Sequence, residues 1–157
     1  MSAATTFAAV AVLATVVAAT SLQPANAENA RQNATGACQA ALPAYDGLIR
    51  KRPTAIRNEG TASAFVNCSM ASVEGVVHPF AEVIVTNATA DSATVTCTIV
   101  TGRINSDLRY YPVTLEVAAG TQGYLGQSFD NNVDTANLIN ASCLLPPDVE
   151  LNYVHVN

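Results

Sequence analysis

The sequence predicts an all-β fold, a single antiparallel β-sandwich of the jelly-roll kind with about eight strands. Three observations carry this expectation. Apolar residues alternate with Thr, Ser and Asn at a period of two. Turn-forming residues interrupt these runs at roughly regular intervals, and no stretch between them has the periodicity of an amphipathic helix.

The elements follow in order. Thr54–Asn58 is the first expected strand, ended by Asn58-Glu59-Gly60. Ser63–Ser69 is the second, with Ala64, Val66 and Cys68 on one face. Pro79–Thr86 follows, then the breaker Asn87-Ala88-Thr89-Ala90-Asp91-Ser92, then Ala93–Thr101. That strand alternates most plainly: Val95, Cys97 and Ile99 share a face, and three threonines share the other. Pro112–Ala118 repeats the pattern and is closed by Ala119-Gly120 before Gln122–Phe129. Asp130-Asn131-Asn132 breaks the chain again ahead of Leu138–Leu145, and Leu145-Pro146-Pro147-Asp148 precedes Glu150–Val156. Val and Thr suit these positions because branching at Cβ stiffens χ1 and packs well on a pleated surface.

Residues 1–27 read as a signal peptide. Phe7–Ala19 is a continuous run of small apolar residues, and Pro24 precedes Ala25-Asn26-Ala27, the pattern a signal peptidase recognises. The run is too short to span a bilayer, which takes about 20 apolar residues. No Lys or Arg precedes it, so either the start lies further upstream or the leader is weakly charged. Cleavage after Ala27 leaves 130 of the 157 residues, enough for one domain with a genuine core. Residues 28–37 are polar and expected to be flexible, with the sandwich occupying 38–157. The expected location is therefore extracellular or periplasmic.

Charged residues make up 12% of the chain and the net charge is −5, which argues against nucleic acid as a partner. No stable membrane span is expected in the mature chain. The four cysteines, Cys38, Cys68, Cys97 and Cys143, are an even number in an export context. Of three connectivities, Cys38–Cys68 with Cys97–Cys143 is favoured: it fastens the amino-terminal segment to the first hairpin and joins two core strands. A Cys68–Cys97 bridge between neighbouring strands is the conceivable alternative. The cysteines are too widely spaced for a metal cluster, and no cofactor is expected.

Several of these segments, taken together, resemble a known group: Cys38, Ile56-Arg57-Asn58-Glu59-Gly60, Ala64-Phe65-Val66-Asn67-Cys68, Val95-Thr96-Cys97, Cys143-Leu144-Leu145-Pro146-Pro147 and Leu151-Asn152-Tyr153-Val154. The pattern is similar to that of a loose group of small secreted bacterial β-sandwich proteins with two disulfides. The resemblance implies a bacterial origin and the fold, and it carries no activity.

Candidate chemistry is sparse. Asp130, Asn132 and Asp134 place oxygens at alternating positions, as the first half of a calcium loop does. Thr135 then stands where the turn glycine belongs and Ala141 where the bidentate Glu would be, so a polar turn explains the same residues. Arg50-Lys51-Arg52, with Arg57, concentrates four of the seven basic residues. Such a patch suits an acidic polymer, but charge guarding a sheet edge against pairing gives the same run and is preferred. Tyr110, Tyr111 and Tyr124 could offer rings to a sugar, with packing at sheet margins the plainer reading. His78 and His155 lack a recognisable nucleophile partner, and no G-x-S-x-G elbow is present. N-x-S/T sequons begin at Asn33, Asn67, Asn87 and Asn140 and carry no weight, since a bacterial product ordinarily leaves them bare.

The function expected is that of a non-enzymatic exported module, binding or structural, with a polysaccharide or protein partner. The alternative is an inhibitor of a hydrolase acting through an exposed loop, Asp130–Asp134 or Gly102–Asp107. An enzyme of another type comes third.

Overall fold

The computed structural model describes residues 30–71, 80–103, 107–129 and 138–157. The expected leader lies outside them, as do His78 and the calcium candidates Asp130, Asn132 and Asp134.

The described chain forms two antiparallel sheets facing each other across one apolar core. The first has the order β3-β4-β11-β6-β9, with β1 also paired to β11. These strands are β1 (Ala30–Asn33), β3 (Ile49–Arg52), β4 (Ala55–Asn58), β6 (Phe80–Asn87), β9 (Gln122–Ser128) and β11 (Val149–Val156). The second has the order β2-β5-β10-β7-β8. It comprises β2 (Cys38–Ala40), β5 (Ala64–Met70), β10 (Leu138–Leu145), β7 (Ala93–Gly102) and β8 (Arg109–Val117). A single helical turn, α1 (Ala34–Ala37), joins β1 to β2, and a 3₁₀ turn at Pro43–Tyr45 follows β2.

The eight expected strands are β4 to β11. They alone make a jelly roll: β4-β11-β6-β9 faces β5-β10-β7-β8, and the chain changes sheet at every connection among them except the β7–β8 hairpin. Eleven strands are present rather than eight, because β1, β2 and β3 add short edge pieces. Residues 30–37, expected to be loosely attached, are instead built in: β1 pairs with β11 from Ala30↔Val156 to Asn33↔Tyr153, and Ala34 is fully buried. The physical reason is that β11 runs past the short β4, leaving backbone donors and acceptors that β1 satisfies.

Inward positions follow the period of two. Val66, Val83, Val85, Val95, Ile99, Ile139, Leu145, Leu151 and Val154 are all within a few per cent of full burial. Edge strands β8 and β9 close one side of the sandwich, and Gly123 lets them approach. A Cβ there would lie 2.7 Å from Leu115 Cδ2 and 2.8 Å from Val117 Cγ2. The opposite edge of the first sheet is β3, which carries Arg50, Lys51 and Arg52.

Cys38 is bonded to Cys68 and Cys97 to Cys143. Each bridge joins directly opposed residues on neighbouring strands of the second sheet, with Cα atoms 4.0 Å apart. Cys68 and Cys97 are not on neighbouring strands, since β10 lies between β5 and β7.

Two buried asparagines fasten the crossings between sheets. Asn58 ends β4, and its Nδ2 donates to the carbonyls of Ala62 and Leu145, both at 2.8 Å, while its Oδ1 accepts from Gly60 N at 3.0 Å. Asn87 ends β6 in the same manner: Nδ2 donates to Asp91 O at 2.7 Å and Val117 O at 2.9 Å, and Oδ1 accepts from Thr89 N at 3.0 Å. Each amide thus shapes its own turn and holds a strand end of the other sheet. Arg57 reinforces the first crossing through Asp148 at 2.7 Å and Glu150 at 3.3 Å. The Asp148 hydrogen bond, aided by both carboxylate charges and opposed by burial, holds the guanidinium above its ordinary pKa.

Asn58→Ala and Asn87→Ala are each expected to cost about 2–3 kcal/mol, because one buried carbonyl, Leu145 O or Val117 O, loses its donor and the turn loses its own amide contacts. Urea unfolding measures this, and a loss below about 1 kcal/mol would show that water replaces the amide. The bridges close segments of 46 and 30 residues, worth about 4.0 and about 3.6 kcal/mol by chain entropy. The Cys97→Ala/Cys143→Ala pair should nevertheless destabilise by at least about 1 kcal/mol more than Cys38→Ala/Cys68→Ala, since it also opens a cavity between interior strands. Thermal unfolding of the two double variants side by side decides, and equal or reversed losses would show that the interior strands depend on their bridge no more than β2 does on its own.

Candidate functional site

The outward faces of β2, β5, β10 and β7 form the floor of a cleft of about 580 Å³. Because inward residues alternate with outward ones, the floor consists of Gln39, Asn67, Ser69, Asn140, Ser142 and Val100. Strand register sets them in rows. Ser69 lies opposite Asn140, which lies opposite Val100; Gln39 lies opposite Asn67, which lies opposite Ser142. Asn67, Ser69, Asn140 and Ser142 therefore make a two-by-two block in which each Asn faces a Ser across the β5–β10 ladder. Each side-chain amide offers two donors and an acceptor, and each hydroxyl offers both.

The block has aromatic neighbours. Tyr110, opposite Val100 on β8, is 63% exposed. Phe65, 40% exposed, lies on β5 beside Leu144 of β10, and its ring meets Tyr45 at 6.4 Å. These two corners are separated by three strand spacings and four residue steps, a diagonal of roughly 20 Å. One wall of the cleft is α1 with the edge strand β3, contributing Gly36, Ala37 and Lys51. This wall is tied together: Thr35 Oγ1 donates to Arg52 O at 2.7 Å, and Lys51 Nζ donates to Thr35 O at 3.0 Å.

The other sequence candidates are dispersed. Tyr111 points inward against Phe129 at 5.5 Å, while Tyr124, 60% exposed, stands on the first sheet and shares no surface with Tyr110. His155 Nδ1 is 3.1 Å from Glu82 Oε1 on the first sheet, its one hydrogen-bond partner among the described residues. Among the described residues no three His, Cys, Asp or Glu side chains group to hold a metal, and no helix among them is long and apolar enough to cross a membrane. Ile104–Ser106 and Asp130–Asp134, in the loops considered for inhibition, lie outside the described residues.

The floor residues were missed as a site, although two of the four sequons were pointing to them. An N-x-S triplet inside a strand puts Asn and Ser on the same face, so Asn67-Cys68-Ser69 and Asn140-Ala141-Ser142 each mark an outward polar pair flanking an inward residue. The sequons at Asn33 and Asn87 serve structure: Asn33 Oδ1 accepts from Thr35 N at 2.9 Å, and Asn87 is buried at its crossing.

No family model matches the chain, and no curated protein matches it. Among solved structures, it is similar to the CBM22-1 and GH10 modules of endo-1,4-β-D-xylanase 10B from Clostridium thermocellum complexed with xylohexaose, at 16% identity and TM-score 0.47. That match covers 65% of this chain, which spans only 20% of the xylanase chain. It is also similar to TmCBM61 in complex with β-1,4-galactotriose, at 10% identity and TM-score 0.43, covering 82% and 87% of the two chains. The family 11 carbohydrate-binding module of Clostridium thermocellum, in complex with a β-1,3-1,4-mixed-linked tetrasaccharide, matches at 9% identity and TM-score 0.42, covering 82% and 88%. At these identities and scores the likenesses assign neither ligand nor activity to this chain.

Asn67→Ala and Asn140→Ala, alone or together, are expected to change unfolding free energy by no more than about 0.5 kcal/mol per site, as for outward positions without a structural partner. Denaturant titration checks this, and a loss above about 2 kcal/mol would show that the block supports the sheet.

Proposed function

We propose that the protein is an exported, non-catalytic module that binds a saccharide chain along the outer face of its five-stranded sheet. The observation that carries this reading is the Asn67/Ser69/Asn140/Ser142 block lying in a cleft, with Phe65 and Tyr110 exposed beyond it at opposite corners of the same sheet face. Saccharides present hydroxyls around each ring and C–H faces above and below it. Amides and hydroxyls in fixed rows match the former, and Tyr110 and Phe65 match the latter.

The placement on paired strands matters as well. Side chains on a hydrogen-bonded ladder keep their spacing without a ligand, so little ordering entropy is lost on binding. Export is supported by the apolar leader and by two disulfides, which persist in oxidising compartments.

The mature protein is expected to be retarded in native gels that contain one or more plant or microbial polysaccharides. Asn67→Ala/Asn140→Ala should weaken that binding about 5- to 150-fold, the loss of two side chains' hydrogen bonds. No retardation by any polymer, or equal retardation of both proteins, would overturn the reading.

A further inference from the structure

We propose that the saccharide taken by this cleft is acidic, with a carboxylate-bearing sugar seated against Lys51. The inference rests on the saccharide-binding reading and adds the ligand's chemical class.

Lys51 is the only lysine in the sequence. Among the residues lining the cleft it is also the only charged one, and no Asp or Glu accompanies it, although the chain carries a net charge of −5. Its neighbours are differently disposed. On a strand, successive side chains point to opposite faces, so Lys51 turns one way and Arg50 and Arg52 the other. Arg52 is held by Glu59 at 2.6 Å, and Arg57 by Asp148 and Glu150. Arg50 donates to the carbonyls of Asp46 and Ile49. Lys51 has no carboxylate partner among the described residues; its ammonium donates to the carbonyl of Thr35.

An ammonium carries three donors, so two remain for a ligand after Thr35 O is served. The bond also holds a flexible four-carbon side chain against the cleft wall, which lowers the entropy lost when a ligand binds there. The wall is itself braced, since Asn33 caps Thr35 and Thr35 Oγ1 bonds to Arg52 O. The cleft therefore joins neutral hydrogen-bonding groups on its floor to one fixed positive charge on its wall. A neutral sugar chain would satisfy the floor alone. A chain bearing uronic-acid carboxylates would satisfy both, through a charge-assisted hydrogen bond.

The test compares polymers that differ only in the carboxylate. Polygalacturonate, alginate and glucuronoxylan would each be measured beside its own carboxyl-reduced form, by native affinity electrophoresis and calorimetry at low salt. At least one acidic polymer should bind about 5- to 20-fold tighter than its reduced form, with the ratio shrinking as salt is raised. Lys51→Met should bring that ratio to about one and Lys51→Arg should keep it above one, with both variants melting as the parent does. A bound acidic oligosaccharide should also protect Lys51 from amine-reactive labelling, read by peptide mass spectrometry. If reduced and acidic forms bind equally, or Lys51→Met retains the preference, the acidic class is wrong while the saccharide reading stands, provided Asn67→Ala/Asn140→Ala still weakens binding. If no polymer of either kind binds, both fall together.

Discussion

Nearly every strand of this protein hydrogen-bonds to a strand distant in sequence, and this constraint governs the rest of the structure. Among β4 to β11 only β7 and β8 are both consecutive and paired; the others meet partners across the chain, such as β4 with β11 and β5 with β10. Each change of sheet takes the backbone past the rim of the core, where its polar groups must find partners. Asn58 and Asn87 supply them at two equivalent crossings, both fully buried and each tied to a carbonyl at the end of a strand in the opposite sheet. A side-chain amide suits this position because one group donates twice and accepts once.

The disulfides work with the same constraint. Both lie within the five-stranded sheet, between strands that already pair, so they act chiefly on the unfolded chain by bringing distant segments together. Cys97–Cys143 presets the β7–β10 ladder, and Cys38–Cys68 sets β2 against β5. The sheet that carries the cleft is therefore the cross-linked one. The other sheet has no bridge and is held by β11, which pairs with β1, β4 and β6.

The cleft follows from the pleat. Once Val66, Cys68, Ala141 and Cys143 are committed inward, their neighbours Asn67, Ser69, Asn140 and Ser142 must face outward. The antiparallel β5–β10 register then sets Asn against Ser in both rows. A shift by one residue would bury this block and expose the core, so the site is protected by the same packing that stabilises the fold. Lys51 lines the cleft because β3 pairs with β4 at the edge of the first sheet and its ammonium is held by the Thr35 carbonyl of α1.

The all-β class and eight of the strands, with the inward faces of β5, β6, β7, β8 and β10, are legible in the sequence by itself, since period-two alternation over seven or more residues, ended by Asn, Gly and Pro turns, has few other solutions. The four-residue β4 is marked by its Asn58-Glu59-Gly60 turn, whereas the bulge between Leu151 and Tyr153, which turns Val154 and Val156 inward in place of Tyr153, is not legible. Nor did the sequence reveal β1, β2 and β3. Ala30–Asn33, Cys38–Ala40 and Ile49–Arg52 are three or four residues long and lie at sheet edges, where too few side chains are buried to print a pattern. These pieces form because a longer strand offers them unpaired backbone, which is a property of the neighbour rather than of their own residues. The cleft belongs to the same category. Asn67 and Asn140 are 73 positions apart in sequence, and nothing local relates them; only the β5–β10 register places their Asn and Ser side chains in one block, because hydrogen-bonded ladders align residues by tertiary pairing and not by sequence distance.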